Sequence, residues 1–188
     1  MRTVAVAALT ASAFLLVAGT QVAAQEPGEP LLADIVGLFF PGYVVVSPDD
    51  LNPAVVRRAE LDSMYDGAER TPTVIHADLD GNGVADYAIL VRQDRDDQPD
   101  EIFAVLMGHG GGRYSRAIEA FFGPLQSSVY LGYAPAGSVL TPAPQTEVSR
   151  EPVELSLPAV KLIHDDGRAD AFFWNTGEGY LAGMPTVR

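Results

Sequence analysis

The apolar positions of this chain change their spacing near residue 73. Before that point, residues 31–40 form an apolar run, and a second helical stretch begins behind Asn52 and Pro53. Asn suits the N-cap of a helix and Pro suits its first turn, so the pattern predicts a short helix over 31–40 and a second one from Pro53. A run of β-branched residues at 43–46 predicts a strand between the two helices.

Beyond residue 73 the blocks 74–75, 87–91 and 102–107 are short and apolar at successive positions, which is typical of strands covered on both faces. The predicted strands are 74–75, 87–91, 102–107, 113–118, 129–133, 160–163 and 169–174. The polar segment 92–100 predicts an antiparallel hairpin, and 134–158, rich in Pro, Thr and Ser, is interpreted as an irregular loop. Together these elements predict an α+β fold, mainly antiparallel β-sheet with one or two N-terminal helices.

The first residues have the pattern of an export signal. Arg2 precedes an apolar run over 4–17, and small residues end at Ala24, which suits cleavage after that residue. The run is shorter than the roughly 20 residues that a membrane span needs. We therefore expect a signal peptide over 1–24, a flexible lead-in over 25–30 and one globular domain over 31–188, with an uncleaved anchor as the alternative. This organisation predicts a periplasmic or secreted bacterial protein without stable membrane insertion after cleavage.

Charge and cysteine content narrow the classes of partner. The formal net charge is −13 and the chain has no cysteine. A strongly acidic chain repels phosphate backbones and anionic lipid surfaces, which argues against nucleic-acid binding. Without cysteine an exported domain has no disulfides, so it depends on its core or on a bound metal for stability.

One segment has the composition of a calcium loop. Asp78, Asp80, Asn82 and Asp86 alternate with glycines and lead directly into an apolar strand. Calcium takes about 6–8 oxygen ligands in irregular geometry. Counting from Asp78, these side chains occupy the first, third, fifth and ninth positions, and the backbone carbonyl of Val84 at the seventh adds another oxygen. The sequence therefore predicts a Ca²⁺ site formed by these five residues.

The loop differs from an EF-hand. The twelfth position, which requires a bidentate Glu in that motif, is Ile89 here, and a side chain without oxygen cannot ligate calcium. The flanking segments are also predicted strands, whereas an EF-hand loop lies between two helices.

At these residues the sequence resembles the calcium loops of FG-GAP and VCBS-type repeats, the integrin-like β-propeller family. Their Asp-x-Asp-Gly-Asn/Asp-Gly-x-x-Asp pattern implies ligand roles for Asp78, Asp80, Asn82 and Asp86. The wider chain is similar to small exported bacterial proteins of uncharacterised function that carry one such loop. A propeller typically needs about 4–8 four-stranded blades, so functions of whole propellers are not expected here. The alternative is an Asx-stabilised turn whose acids face water.

Four other segments have candidate chemistry and a simpler interpretation. The acidic residues at 94–100 suit a solvated hairpin tip better than a second cation site. The segment 164–170, which repeats the Gly-x-Ala-Asp of 83–86, is interpreted as a polar turn rather than a degenerate calcium loop. The His-Gly-Gly-Gly of 108–113 is similar to the oxyanion-hole segment of esterases, but no Gly-x-Ser-x-Gly accompanies it, so a plain turn is the simpler interpretation. His76 lacks the partners that a zinc site requires.

Taken together, these features favour a non-catalytic exported domain that binds calcium and contacts an envelope or extracellular protein. A small acidic hydrolase is the first alternative, since paired carboxylates support glycoside hydrolysis, with the candidate acids Asp97, Asp100 and Glu101. A carbohydrate-binding module is the second alternative, with the candidate aromatic residues Trp174, Tyr130 and Tyr133.

Overall fold

A computed structural model describes residues 30–66, 71–95, 99–123, 128–144 and 151–186. The predicted signal peptide 1–24 and the lead-in up to residue 29 lie outside these ranges. The described helices are α1 (Leu32–Phe39) and α2 (Pro53–Asp66), with a 3₁₀ turn at Pro48–Asp50. The described strands are β1 (Tyr43–Val45), β2 (Val74–Ala77), β3 (Asp86–Gln93), β4 (Glu101–Gly108), β5 (Tyr114–Gly123), β6 (Val129–Ala134), β7 (Val139–Leu140), β8 (Val153–Glu154), β9 (Ala159–His164), β10 (Ala169–Asn175) and β11 (Tyr180–Thr186).

The strands form two main antiparallel sheets. In the first sheet β3, β4 and β5 are successive neighbours, and β1 and β2 pair with opposite ends of β3 along its other side. The second sheet has the order β11-β10-β9-β6, and β7 pairs with β8 separately. Since the neighbours β3–β4, β4–β5, β9–β10 and β10–β11 are also consecutive in sequence, most pairing is between hairpin partners.

Three apolar clusters lie between the layers of the fold. The largest lies between the two sheets and includes α2, with Phe103 and Leu90 from the first sheet and Leu131 and Leu162 from the second. A second cluster packs α1 against the opposite face of the first sheet. The third lies on the other side of the second sheet, beneath the β7–β8 segment. Because β3 and β4 are covered on both faces, they contain the continuous apolar runs that the sequence shows.

Each helix begins or ends for a local reason. Asn52 Oδ1 accepts a hydrogen bond from the Ala54 N–H at 2.9 Å, which caps α2 as the sequence predicts. α1 ends where the Phe40 N–H reaches the carbonyl of Val36 at 2.8 Å, because the residue before a proline disfavours the helical conformation. Within the described ranges, neither helix is long and apolar enough to cross a bilayer.

The α+β prediction is confirmed, and its errors concern the length or the presence of single strands. β5 extends to Gly123, beyond the predicted end at 118, and β11 was not predicted at all. The segment predicted as an irregular loop, 134–158, contains the short β7–β8 pair in its described part. The predicted hairpin across 92–100 is confirmed by the antiparallel pairing of β3 with β4.

Candidate metal centre

The acidic loop (residues 78–86) connects β2 to β3. Backbone N–H groups of the loop bind its first carboxylate. Asp78 Oδ1 accepts the Gly81 N–H at 2.8 Å, and Oδ2 accepts the Gly83 N–H at 2.9 Å. Gly81 and Gly83 have φ values of +77° and +81°. Residues with a Cβ rarely adopt such values, so the two glycines permit the close wrapping that brings backbone donors to Asp78.

Asp80 and Asn82 form the outer part of the acidic loop. The Asp80 carboxylate accepts the Asn82 N–H at 3.0 Å and Asn82 Nδ2 at 3.0 Å. Asn82 Oδ1 in turn accepts the Val84 N–H at 2.7 Å. Each side chain therefore bonds to the residue two positions further on, as Asx turns do.

Asp86 is the buried end of the acidic loop. Its side chain has no exposed surface. Oδ2 accepts the Leu79 N–H at 2.7 Å and Oδ1 accepts the Gly108 N–H at 2.7 Å. Burial raises the pKa of Asp86, the two N–H donors lower it, and the neighbouring carboxylates of Asp80 and Asp78 raise it again. A nearby cation would favour the ionised form by Coulombic attraction.

The fold brings three carboxylates together. One oxygen each from Asp78, Asp80 and Asp86 lie within 4.8 Å of one another, and no other acidic or histidine group in the described residues is gathered in this way. Two ligands on opposite sides of a calcium ion lie about 5 Å apart, given Ca–O distances of about 2.3–2.6 Å. A donor set of oxygens without nitrogen or sulfur suits a hard cation, the class to which the predicted calcium belongs. The ligand roles of Asn82 and of the Val84 carbonyl stay predictions.

Gly108 and Leu79 are contributors that sequence reasoning missed. Both donate a backbone N–H to Asp86, and Gly108 lies 22 positions further along the chain. The sequence does not show which backbone N–H groups donate to a side chain. Gly108 is found only from the position of β4 beside the acidic loop. The one sequence signal was the glycine that opens the 108–113 segment.

The 108–113 segment forms the β4–β5 turn, as its simpler interpretation predicted. The His109 N–H donates to the Arg113 carbonyl at 2.9 Å, and His109 Nε2 lies 2.6 Å from Ser115 Oγ. Both side chains are exposed at a hairpin end. Acyl transfer requires a third group that orients the histidine and a site that encloses the substrate, and neither accompanies this pair among the described contacts.

The acidic residues considered for hydrolysis differ in their exposure to solvent. Asp97 lies outside the described residues, and Asp100 is 3.6 Å from Arg95 at the exposed hairpin end. Glu101 is only 6% exposed. Burial raises its pKa from 4.5 to about 7, with Arg92 opposing and Asp50 adding to the shift. A raised pKa is typical of catalytic acids, but this carboxyl is almost completely covered by protein.

The aromatic residues considered for sugar binding are also largely covered. Tyr130 has no exposed surface and donates its hydroxyl to Asp62 at 2.6 Å, which contradicts its proposed place on an exposed platform. Tyr133 and Trp174 are partly buried and pack against the central core. His76, the candidate without zinc partners, stacks on Tyr87 with ring centroids 4.3 Å apart.

The 164–170 segment is a hydrogen-bonded turn between β9 and β10. The Gly167 N–H donates to the His164 carbonyl at 3.0 Å, and Arg168 Nε lies 2.6 Å from Asp166 Oδ2. The nearby N–H and guanidinium of Arg168 lower the pKa of Asp166. An acid neutralised by its own arginine is a poor cation ligand, and this agrees with the interpretation as a polar turn.

No family model, curated protein or solved structure matches this chain. The resemblance of the acidic loop to FG-GAP and VCBS repeats therefore stays a prediction that depends on a few residues of the sequence.

Proposed function

We propose that this protein is an exported, non-catalytic domain that binds one Ca²⁺ in the acidic loop and uses it as a structural brace. The observation that supports this most directly is the convergence of the Asp78, Asp80 and Asp86 carboxylates within 4.8 Å. Like charges at this distance repel one another. A divalent cation between the three carboxylates would attract each of them, so its binding would offset their mutual repulsion.

The position of the acidic loop favours a structural role. It joins two strands of the first sheet, and its deepest residue, Asp86, is fully buried beside β4. Extracellular calcium modules bind at about 10⁻⁴–10⁻³ M, so in calcium-rich surroundings such a site would be occupied constantly. A constantly occupied site stabilises a fold and does not report changes in calcium concentration.

The cellular role in this proposal is contact with an envelope or extracellular protein. It is supported by the N-terminal export pattern and by the net charge of −13, which disfavours nucleic acid and anionic lipid as partners. The burial of Glu101 and Tyr130 also weakens the hydrolase and carbohydrate-binding alternatives.

Isothermal titration calorimetry with CaCl₂ tests the proposal. The purified protein should bind one calcium ion with a dissociation constant of about 10⁻⁴–10⁻³ M. Asp80→Asn keeps one acceptor oxygen for the Asn82 N–H but removes the charge, so binding should be lost.

The matched control is Asp165→Asn, which makes the same charge change at an exposed position outside the acidic loop. It should bind calcium as the wild type does. Equal affinities of wild type and Asp80→Asn, or no measurable heat from the wild type at millimolar calcium, would contradict the proposal.

A further inference from the structure

The end of β4 meets the acidic loop through the backbone of Gly108. Its N–H donates to Asp86 Oδ1 at 2.7 Å, and its carbonyl accepts a hydrogen bond from Asn82 Nδ2 at 2.9 Å. The backbone register of β3 with β4 ends at the pair Tyr87 and Leu106. Beyond this pair, hydrogen bonds from two side chains of the acidic loop replace the backbone pairing. Asp86 binds the N–H of Gly108, and Asn82 binds its carbonyl.

Gly108 allows this approach because it has no side chain. A Cβ at this position would lie 2.5 Å from the carbonyl oxygen of Ala85 and 2.8 Å from Cγ1 of Val84. The nearer of these atoms belongs to the backbone and cannot rotate away. Its φ lies outside the left-handed region, so the glycine is required for close approach and not for its own conformation. Any side chain at 108 must push β4 away from the loop.

Such a displacement would weaken both hydrogen bonds together. Asp86 would lose one of the two backbone donors that fix the orientation of its carboxylate. Asn82 would lose the contact that holds its amide in place. Both residues belong to the predicted ligand set, so the effect would reach the site without any contact between residue 108 and the ion.

We propose that Gly108 is a positioning residue for the calcium site, and that the β4–β5 turn (residues 108–113) and the acidic loop form one structural unit. This inference rests on the proposed function, because it concerns the affinity of the same loop for calcium. It extends the site from one loop to two. It also gives the glycine-rich segment 108–113 a role that needs neither an oxyanion nor a nucleophile.

Calcium titration of two glycine variants tests the inference. Gly108→Ala should raise the dissociation constant about tenfold or more, because a charge-assisted hydrogen bond to Asp86 is weakened. Gly37→Ala in α1 is the matched control outside the two loops. A Cβ there has nothing within 4 Å and its φ is not in the left-handed region, so its affinity should stay within about twofold of the wild type.

Amide hydrogen exchange provides a second readout that does not depend on the folding of Gly108→Ala. Asn82→Asp keeps an oxygen for the ion but removes the donor to the Gly108 carbonyl. In calcium-free protein this variant should exchange the 108–113 amides about threefold or more faster than the wild type, because fewer hydrogen bonds hold the turn. In the wild type, calcium should slow exchange in the same segment.

The two proposals fail in different ways. If wild-type protein binds no calcium, the proposed function is wrong, and the calcium-free exchange of Asn82→Asp still decides whether turn and loop form one unit. If Gly108→Ala binds calcium as tightly as the wild type, or if Asn82→Asp leaves the exchange of 108–113 unchanged, the inference about Gly108 is wrong and the calcium site stands without it.

Discussion

Two turns of this protein share the pattern Gly-x-Ala-Asp before a strand, yet they place the aspartate in opposite surroundings. Gly83 and Gly167 both have positive φ, +81° and +88°. Asp86 follows the first and is completely buried, with two backbone donors. Asp170 follows the second with its side chain 42% exposed, and Nε2 of His164 lies 3.5 Å from its carboxylate.

The difference arises from what covers each aspartate. Asp86 shares its face of β3 with Ala88, and Asp170 shares its face of β10 with Phe172, so both faces belong to the central core. Leu79 and Gly108 cover the Asp86 carboxylate with backbone donors, whereas the Asp170 side chain is 42% exposed. The same four-residue pattern therefore makes a buried polar site in one place and an exposed acid in the other. The neighbouring segments, and not the turn pattern, decide which one forms.

The largest expected contrast is in stability without metal. Asp86→Ala leaves the buried N–H groups of Leu79 and Gly108 without an acceptor, which should lower the free energy of unfolding by about 4 kcal/mol. Asp170→Ala removes only an exposed partner and should cost less than about 0.5 kcal/mol. Urea denaturation in the presence of a calcium chelator measures both. Similar losses in the two variants would contradict the contrast.

Glu101 is a second buried acid, and its effect on stability depends on pH. Because burial raises its pKa from 4.5 to about 7, the folded state binds more protons than the unfolded state between these values. The stabilisation is complete below pH 4.5 and is lost as pH rises through about 7, by up to about 3 kcal/mol. Glu101→Gln should remove this fall. Wild-type and Glu101→Gln unfolding profiles that stay parallel from pH 4.5 to 7.5 would contradict the assignment.

Calcium should stabilise through one of the two turns only. At 10 mM calcium and the expected affinity, the gain is about 1.4–2.7 kcal/mol, or roughly 3–10 °C in Tm for a domain of this size. Asp80→Asn should abolish the rise and Asp166→Asn should leave it intact. A thermal melt with calcium and with chelator measures it. Loss of the rise in Asp166→Asn would show that the second turn also contributes.

The smallest expected effect concerns the ion pair of the second turn. Arg168 and Asp166 are both largely exposed, although their side chains lie 2.6 Å apart. Exposed pairs add little because solvent screens them and ordering two side chains costs entropy. Arg168→Ala should therefore shift Tm by less than about 1 °C. A larger shift in a thermal melt would mean that this turn has a structural role closer to that of the acidic loop.

The sequence predicted the parts of the fold that depend on local pattern. The Asn52 cap, the helix stop before Pro41 and the apolar runs of β3 and β4 all depend on neighbouring residues, and each occurs in the structure. β11 was missed because Gly183 and Pro185 interrupt its apolar pattern, and both residues are usually depleted in strands.

The same limit applies to the candidate site. The three carboxylates could be predicted together because they lie within nine positions of one another. The Gly108 contact could not, because it depends on the pairing of β3 with β4 and on the absence of a side chain at a single residue. The burial of Asp86 also depends on the Leu79 and Gly108 donors, which the turn pattern alone does not specify.

The connection of β2 to β3 by the acidic loop has a consequence for the order of assembly. These two strands pair within residues 74–89, and closing so short a segment costs little chain entropy. The hairpin can therefore form, and three of its oxygens can gather, before the second sheet has formed. The Gly108 donor arrives only when β4 docks. Calcium present during folding would accordingly favour an early hairpin and guide the next strand to its place beside it.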